Sequence, residues 1–197
     1  MLNKYRGDIR ISQIIGTNFL GEWKINQQSY FFSLFSHTWG WASWRRVWIQ
    51  YDFEIKKWDD IDNKKILENR ISNSEIYGRL KDLYDYTKSN ILTITWWDFQ
   101  WLFCMQISNG LCIVPVLNLI KNIGVGEDAT HTKNLNTTAP SLKKDISIFP
   151  ITHNTDISPD YEFDRIYFKK AFQAKPSLFV RLFKNYKLII KQLKLNI

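Results

Sequence analysis

The sequence predicts an α/β fold in which a mixed sheet is flanked by helices. Short apolar runs at 11–15, 30–32 and 111–120 have the length and the β-branched or aromatic content of buried strands. Residues 54–90 place apolar side chains at helical spacing among charged ones, and 98–107 is mostly apolar, as in a buried helix. The chain of 197 residues, 45% hydrophobic and 23% charged, is long enough for a globular domain.

The first half of the chain predicts strands followed by helices. The strand at 11–15 ends at Gly16. Because no strand precedes it, it must pair with a later strand or with a missing segment. A second strand is predicted over 30–32. The pattern over 54–90 indicates one or two amphipathic helices.

The second half of the chain predicts a strand over 91–97, the buried helix 98–107 and a strand over 111–120. Within that last strand, Pro115 indicates an edge position or a bend. The remaining predicted segments are a Gly-containing loop over 122–131, a polar surface segment over 132–160, a helix over 161–172 and a final helix from Pro176.

Cysteines and apolar segments limit the class of protein. Cys104 and Cys112 lie in apolar runs, so we expect buried free thiols in a reducing cytosol rather than a disulfide framework or a zinc site. No segment typical of a signal peptide follows Met1. No apolar run approaches the roughly 20 residues that a membrane span needs. We therefore expect a cytoplasmic protein.

The net charge of +8 is concentrated in the tail. Residues 175–197 hold six basic side chains and no acidic one, which leaves about +2 for the rest of the chain. A nucleic-acid partner is therefore not expected. Residues 176–197 form a basic amphipathic pattern that suits an anionic membrane surface, such as the inner face of the plasma membrane. The alternative is a helix docked on the domain with a solvated basic face.

Tryptophan is abundant, with 9 Trp beside 13 Phe and 9 Tyr, and it is densest over 36–48. If Ala42 onward is helical, Trp41, Trp44, Arg45 and Trp48 share one face. Such a face could bind a sugar, whose C–H groups pack on indole rings while an arginine contacts hydroxyl or phosphate groups. The alternative is an aromatic core around a turn.

An acidic side chain lies among aromatic rings in the segment 95–101. Asp98 could cap the following helix by accepting hydrogen bonds from its first amides. It could also act as a general base, because aromatic walls exclude water and raise the pKa of a carboxyl. Both interpretations remain open.

The segment 115–132 places Gly124 and Gly126 after a strand, without the third glycine of a dinucleotide fingerprint. Its exposed amides, together with Lys121, could meet a phosphate. His131 could ligate a divalent metal with ligands from elsewhere, or be a hydrogen-bonding residue of the surface or core.

Taken together, these motifs resemble a bacterial family of nucleotide-diphospho-sugar transferases labelled hemolytic protein HlpA-like, a branch of the GT-A glycosyltransferases. The matching stretches occur in the family's order and are 14–19, 39–46, 97–101, 118–124 and 128–132. A more distant likeness is to the eukaryotic N-acetylglucosaminyltransferases that act on N-glycans. In those enzymes a Trp-Asp-Asp-Trp-like segment supplies the catalytic base.

The resemblance implies a partial GT-A-like sheet and an inverting transfer from a nucleotide sugar to a glycan or lipid-linked acceptor. By this likeness Asp98 would be the base, and a divalent metal, Mn or Mg, would be a cofactor with His131 as a candidate ligand. The donor-phosphate loop would include Asn122, Gly124 and Gly126. The substrate-binding residues would be Trp39, Gly40, Trp41, Trp44, Arg45, Trp97, Gln100 and Trp101.

Family members begin with a nucleotide-binding half that ends in an acidic metal motif, and residues 1–40 contain no such motif. We therefore expect 1–135 to be the acceptor-side part of such a domain, with the N-terminal half absent or supplied as a partner chain. Without that half the chain lacks the donor and metal site, and we do not expect it to be active alone. A polar loop plus helix over 136–175 and the basic helix over 176–197 would follow. The alternative function is a non-enzymatic carbohydrate-binding or membrane-peripheral protein.

Overall fold

The computed structural model describes residues 1–93, 97–121, 123 and 148–173. Two compact units, 1–164 and 165–197, divide the chain, and the sheet and the candidate site lie in the first. The elements in chain order are β1 (Ile11–Ile15), β2 (Tyr30–Ser33), β3 (Trp41–Ser43), α1 (Arg45–Trp48), a 3₁₀ helix (Lys56–Asp59), α2 (Ile61–Ile71), α3 (Ser74–Ser89), α4 (Trp97–Ile107), β4 (Leu111–Pro115) and α5 (Tyr161–Gln173).

The sheet has four strands in the order β2-β4-β1-β3. β1 is parallel to β4 and antiparallel to β3, while β2 is antiparallel to β4. The predicted mixed sheet in an α/β fold is therefore confirmed. β1 pairs with later strands on both sides, which answers the question of its partner.

The interior position of β4 contradicts the prediction of an edge strand at Pro115. Pro115 was predicted to mark an edge or a bend, but it is the last residue of an interior strand and lies opposite Tyr30. Its missing N–H costs little there, because the strand ends at that residue instead of continuing to 120. The outer edge of β2 is bonded at one point, where the amide of Asp160 donates to the carbonyl of Phe32 at 2.8 Å.

The segment after Gly40 does not meet the condition on which the shared face of tryptophans depended. Helical backbone from Ala42 onward would have given that face, but residues 41–43 form β3, and α1 begins at Arg45. Pairing with β1 overrides the helical spacing: Ser43 lies opposite Gln13, and its hydroxyl donates to the carbonyl of Ser12 at 2.7 Å. Trp41 and Trp48 consequently sit on different elements.

Two amphipathic helices are confirmed within 54–90. Asp60 caps α2 by accepting from the amide of Asp62 at 2.8 Å, and Asn73 caps α3 by accepting from the amide of Ile76 at 3.0 Å. The predicted strand over 91–97 is wrong at its described ends, because 91–93 form turns and Trp97 begins α4.

α4 is the central helix of the first unit. All residues from Gln100 to Gln106 are buried, and this confirms the prediction of a buried helix. Arg70 of α2 binds its C-terminal end, donating to the carbonyls of Gln106 at 2.8 Å and Gly110 at 2.6 Å. Both cysteines are buried free thiols, as predicted. Within the described residues, no helix has the length and apolarity needed to cross a bilayer.

Candidate functional site

Five aromatic rings gather where β3, α1 and the N-terminal end of α4 meet. The ring centroid of Trp41 lies 5.3 Å from that of Trp97 and 5.5 Å from that of Trp101. Trp48 lies 5.3 Å from Trp101 and stacks on Tyr51 at 5.1 Å, with only 5° between the ring planes. We call these five side chains the aromatic cluster.

The aromatic cluster runs from the core to the surface. Trp101 is 1% exposed, and its indole N–H donates to the side-chain oxygen of Gln13 on β1 at 2.9 Å. Trp48, at the other end, is 47% exposed, and its neighbours Ile49 and Phe53 are exposed as well. The cluster is thus anchored on the sheet through Trp101 and open to solvent through Trp48.

Side chains of α4 fix the backbone that follows α1. The Tyr51 hydroxyl donates to the side-chain oxygen of Gln100 at 3.2 Å, and the Gln100 amide donates to the carbonyl of Phe53 at 3.0 Å. The amide of Asp52 donates to the sulfur of Cys104 at 3.1 Å. Because Gln100 and Cys104 are one helical turn apart, residues 51–53 are held along one face of α4.

Asp98 lies in the first turn of α4, half-buried beside the aromatic cluster. Burial raises its pKa above the ordinary value, although the backbone amides of Asp98 and Phe99 donate to the carboxylate and oppose the shift. Tyr51 is within electrostatic reach: burial, then Cys104 and Asp98, raise its pKa to about 12. Asp98 therefore lies inside α4 as its second residue, and the predicted cap before the helix is wrong. Its carboxyl still accepts from amides of the first turn and has the raised pKa that was predicted.

Two predicted sugar-binding tryptophans lie outside the aromatic cluster. The ring of Trp39 packs 5.6 Å from that of Phe19, which itself lies 4.0 Å from the ring of His37. The indole N–H of Trp44 donates to the carbonyl of Leu2 at 3.2 Å. The predicted helical face containing Trp44 and Trp48 therefore does not form, since Trp44 precedes the first helical residue.

Other predicted residues have structural roles. Gly40 adopts φ +59°, a conformation that strains other residues, and a Cβ there would overlap the side chain of Ile120, so a glycine suits the fold at this position. Gln100 is 0% exposed and uses both ends of its amide within the protein, so it supports the site without facing it. Arg45, by contrast, is exposed on α1.

The structure adds Tyr51 and Gln13 to the site, neither of which was predicted. Tyr51 follows the short helix α1, so helical spacing from Trp48 does not reach it. Gln13 occupies a position in a buried strand where an apolar residue is usual. A polar side chain at such a position indicates a hydrogen-bonding role, so the sequence did contain a signal for it.

The predicted phosphate and metal residues Asn122, Gly124, Gly126 and His131 lie outside the described residues. Across 1–93, 97–121, 123 and 148–173, no group of three His, Cys, Asp or Glu side chains could hold a metal ion. The described part of the chain thus does not fit the metal that the resemblance implies. Involvement of His131 stays a prediction.

Comparison with known proteins identifies no relative. No protein-family model, curated protein or solved structure matches the chain. The function proposed below therefore depends on the chemistry of the aromatic cluster and of Asp98.

Proposed function

We propose that this chain takes part in glycosyl transfer, with Asp98 as the general base that accepts a proton from the acceptor hydroxyl. The observation that carries this proposal is a half-buried carboxyl with a raised pKa beside an aromatic cluster that opens to solvent at Trp48. A raised pKa makes a carboxylate a stronger proton acceptor. Aromatic faces are the surfaces on which the C–H groups of sugars pack.

The proposed reaction is a displacement at the anomeric carbon of a nucleotide-diphospho-sugar. The acceptor oxygen forms the new bond to that carbon while its proton moves to a carboxylate oxygen of Asp98. The bond from the carbon to the diphosphate oxygen breaks, and the nucleoside diphosphate leaves with the electron pair. Attack opposite the leaving group inverts the configuration.

The test is sugar transfer by the full chain reassembled with a nucleotide-binding half, in the wild type and in Asp98→Asn, with UDP-, GDP- and dTDP-sugars as donors and methyl glycosides as acceptors. We expect Asp98→Asn to lower turnover by about 10²-fold or more, as for loss of a general base. Asp82→Asn on the exposed face of α3 is the matched control and should transfer like the wild type. Undiminished turnover by Asp98→Asn would exclude the base role.

A second candidate is a carbohydrate-binding protein without catalysis. The exposure of Trp48, stacked flat on Tyr51, favours it independently of Asp98. Sugar binding with no transfer from any of the donors, and with no change on adding nucleotide, would support this candidate over the transferase.

A further inference from the structure

Two neighbouring arginines of α1 have different surroundings. The guanidinium of Arg46 donates to the carbonyls of Asp8 and Ile11, both at 2.8 Å, and lies 4.7 Å from the centre of the Trp44 ring. Arg45 is exposed, and among the described residues no carboxylate lies within ion-pair distance of it. Arg46 is thus used in the fold, while Arg45 is available to a ligand.

Arg45 and Trp48 share one side of α1. They are three positions apart in a helix, a spacing that places their Cβ atoms roughly 5 to 6 Å apart. Trp48 offers a half-exposed ring, and Arg45 a planar set of donors that can bind a carboxylate through two hydrogen bonds. An aromatic face beside a free guanidinium fits a sugar ring that carries a carboxylate.

We propose that the acceptor site selects an acidic sugar, a hexuronate, whose ring packs on Trp48 and whose carboxylate binds Arg45. This inference rests on the proposed function and names the substrate class of the same site. Asp98 lies on α4, within electrostatic reach of Tyr51 of the cluster, and Arg45 lies on α1, three positions before Trp48. Attraction to Arg45 and repulsion from Asp98 therefore orient the ring, so that its carboxylate lies toward α1 and a neutral hydroxyl toward Asp98.

Two probes that differ only at C6 test this selection, methyl β-D-glucuronide and methyl β-D-glucoside. Their binding to the full chain is titrated by tryptophan fluorescence at low and at high salt. We expect the glucuronide to bind about threefold to tenfold more tightly at low salt, and the difference to shrink at high salt, as for an exposed ion pair.

Variants separate the two contacts. Arg45→Gln should remove the preference while glucoside binding stays within about twofold. Trp48→Ala should weaken the binding of both probes by roughly tenfold. Arg79→Gln, an exposed arginine of α3, is the matched control and should keep the preference.

Equal binding of the two probes by the wild type, no binding of either, or a preference that survives in Arg45→Gln would each overturn the inference. Transfer by Asp98→Asn is measured in parallel. If Asp98→Asn loses turnover while the probes bind equally, the selection is wrong and the transferase stands. If the preference depends on Arg45 while Asp98→Asn transfers normally, the selection stands and the base role is wrong.

Discussion

Two aromatic groups pack on α4 and differ in almost every physical respect. One is the aromatic cluster at its N-terminal end. The other consists of Trp58, Tyr84 and Phe103, whose rings meet edge to face at interplanar angles of 62° to 89°. Trp58 is 1% exposed, and its N–H donates to Asp85 at 2.8 Å. Trp48 is 47% exposed and stacks flat on Tyr51.

The contrast shows that aromatic density alone does not identify a site. In the Trp58 group the polar tips are bonded within the protein, including Tyr84, whose hydroxyl donates to Gln106 at 2.7 Å. Such a group stabilises the core. The aromatic cluster leaves Trp48 half-exposed and includes Trp97, the chain neighbour of Asp98, whose carboxyl has a raised pKa; this combination is typical of a binding surface.

The largest expected effect is the difference in stability loss between alanine variants of Trp58 and of Trp48. Trp58→Ala should lower the free energy of unfolding by about 3 to 5 kcal/mol, because it leaves a buried cavity and removes the indole hydrogen bond to Asp85. Trp48→Ala should cost under about 1 kcal/mol, because the ring is already half in water. Urea denaturation followed by circular dichroism measures both. Equal losses would remove the distinction between core and surface groups.

The next effect is the pH dependence of stability that comes from Asp164, a buried carboxyl, in contrast to Asp98 beside the aromatic cluster that opens to solvent. Asp164 is buried and accepts from the Ser33 hydroxyl at 2.5 Å and from the Leu34 amide at 3.0 Å. Burial raises its pKa to about 7. The folded state thus disfavours the charged form, so this group lowers stability as pH rises from about 4, its usual pKa, to about 7.

For Asp164 the free energy of unfolding should fall by at most roughly 4 kcal/mol in total as the pH rises from 4 to 7. Asp164→Asn cannot titrate, so its unfolding free energy should vary less over this interval than that of the wild type. Denaturation at several pH values makes the comparison. Identical pH profiles for the two proteins would show that Asp164 ionises normally in the folded state.

The smallest effect tests the attachment of residues 51–53 to α4. Tyr51→Phe removes the hydroxyl that donates to Gln100 and should cost about 1 kcal/mol. Hydrogen exchange at the amide of Asp52 should speed up, because the segment loses two of its four hydrogen bonds to α4, those of the Tyr51 hydroxyl to Gln100 and to the carbonyl of Trp97. Unchanged exchange would mean that the bonds of Gln100 and Cys104 to the backbone suffice. Tyr77→Phe, on α3, is the matched control.

Much of the fold follows from local sequence patterns. The strand at 11–15, the helices within 54–90 and the buried helix of α4 were predicted because their apolar periodicity agrees with their final burial. The strand over 41–43 was not, because its conformation depends on pairing with β1 and not on its own spacing. Strand order could not be predicted for the same reason.

The site was predicted in part. Asp98, Trp41, Trp97 and Trp101 come together as expected, since three of them lie on one helix. Trp39 and Trp44 do not join them, because the turn at Gly40 and the extended backbone of Trp44 direct the chain elsewhere. Tyr51 joins the cluster because its hydroxyl bonds to Gln100 of α4, almost 50 positions away in the sequence. A local sequence pattern cannot predict such a contact.

The central pairing of β1 with β4 has a consequence for synthesis of the chain. Ile11 lies opposite Leu111, so β1 acquires this neighbour only after about 100 further residues have been made. Helices α2 and α3 depend on contacts between residues close in sequence and can form earlier, but β1 cannot pair with β4 until β4 has been synthesised. During that interval an apolar strand is exposed, and we expect early chaperone contact at 11–15. Because Trp101 is bonded to β1, indole fluorescence from the aromatic cluster would report the moment at which the sheet closes.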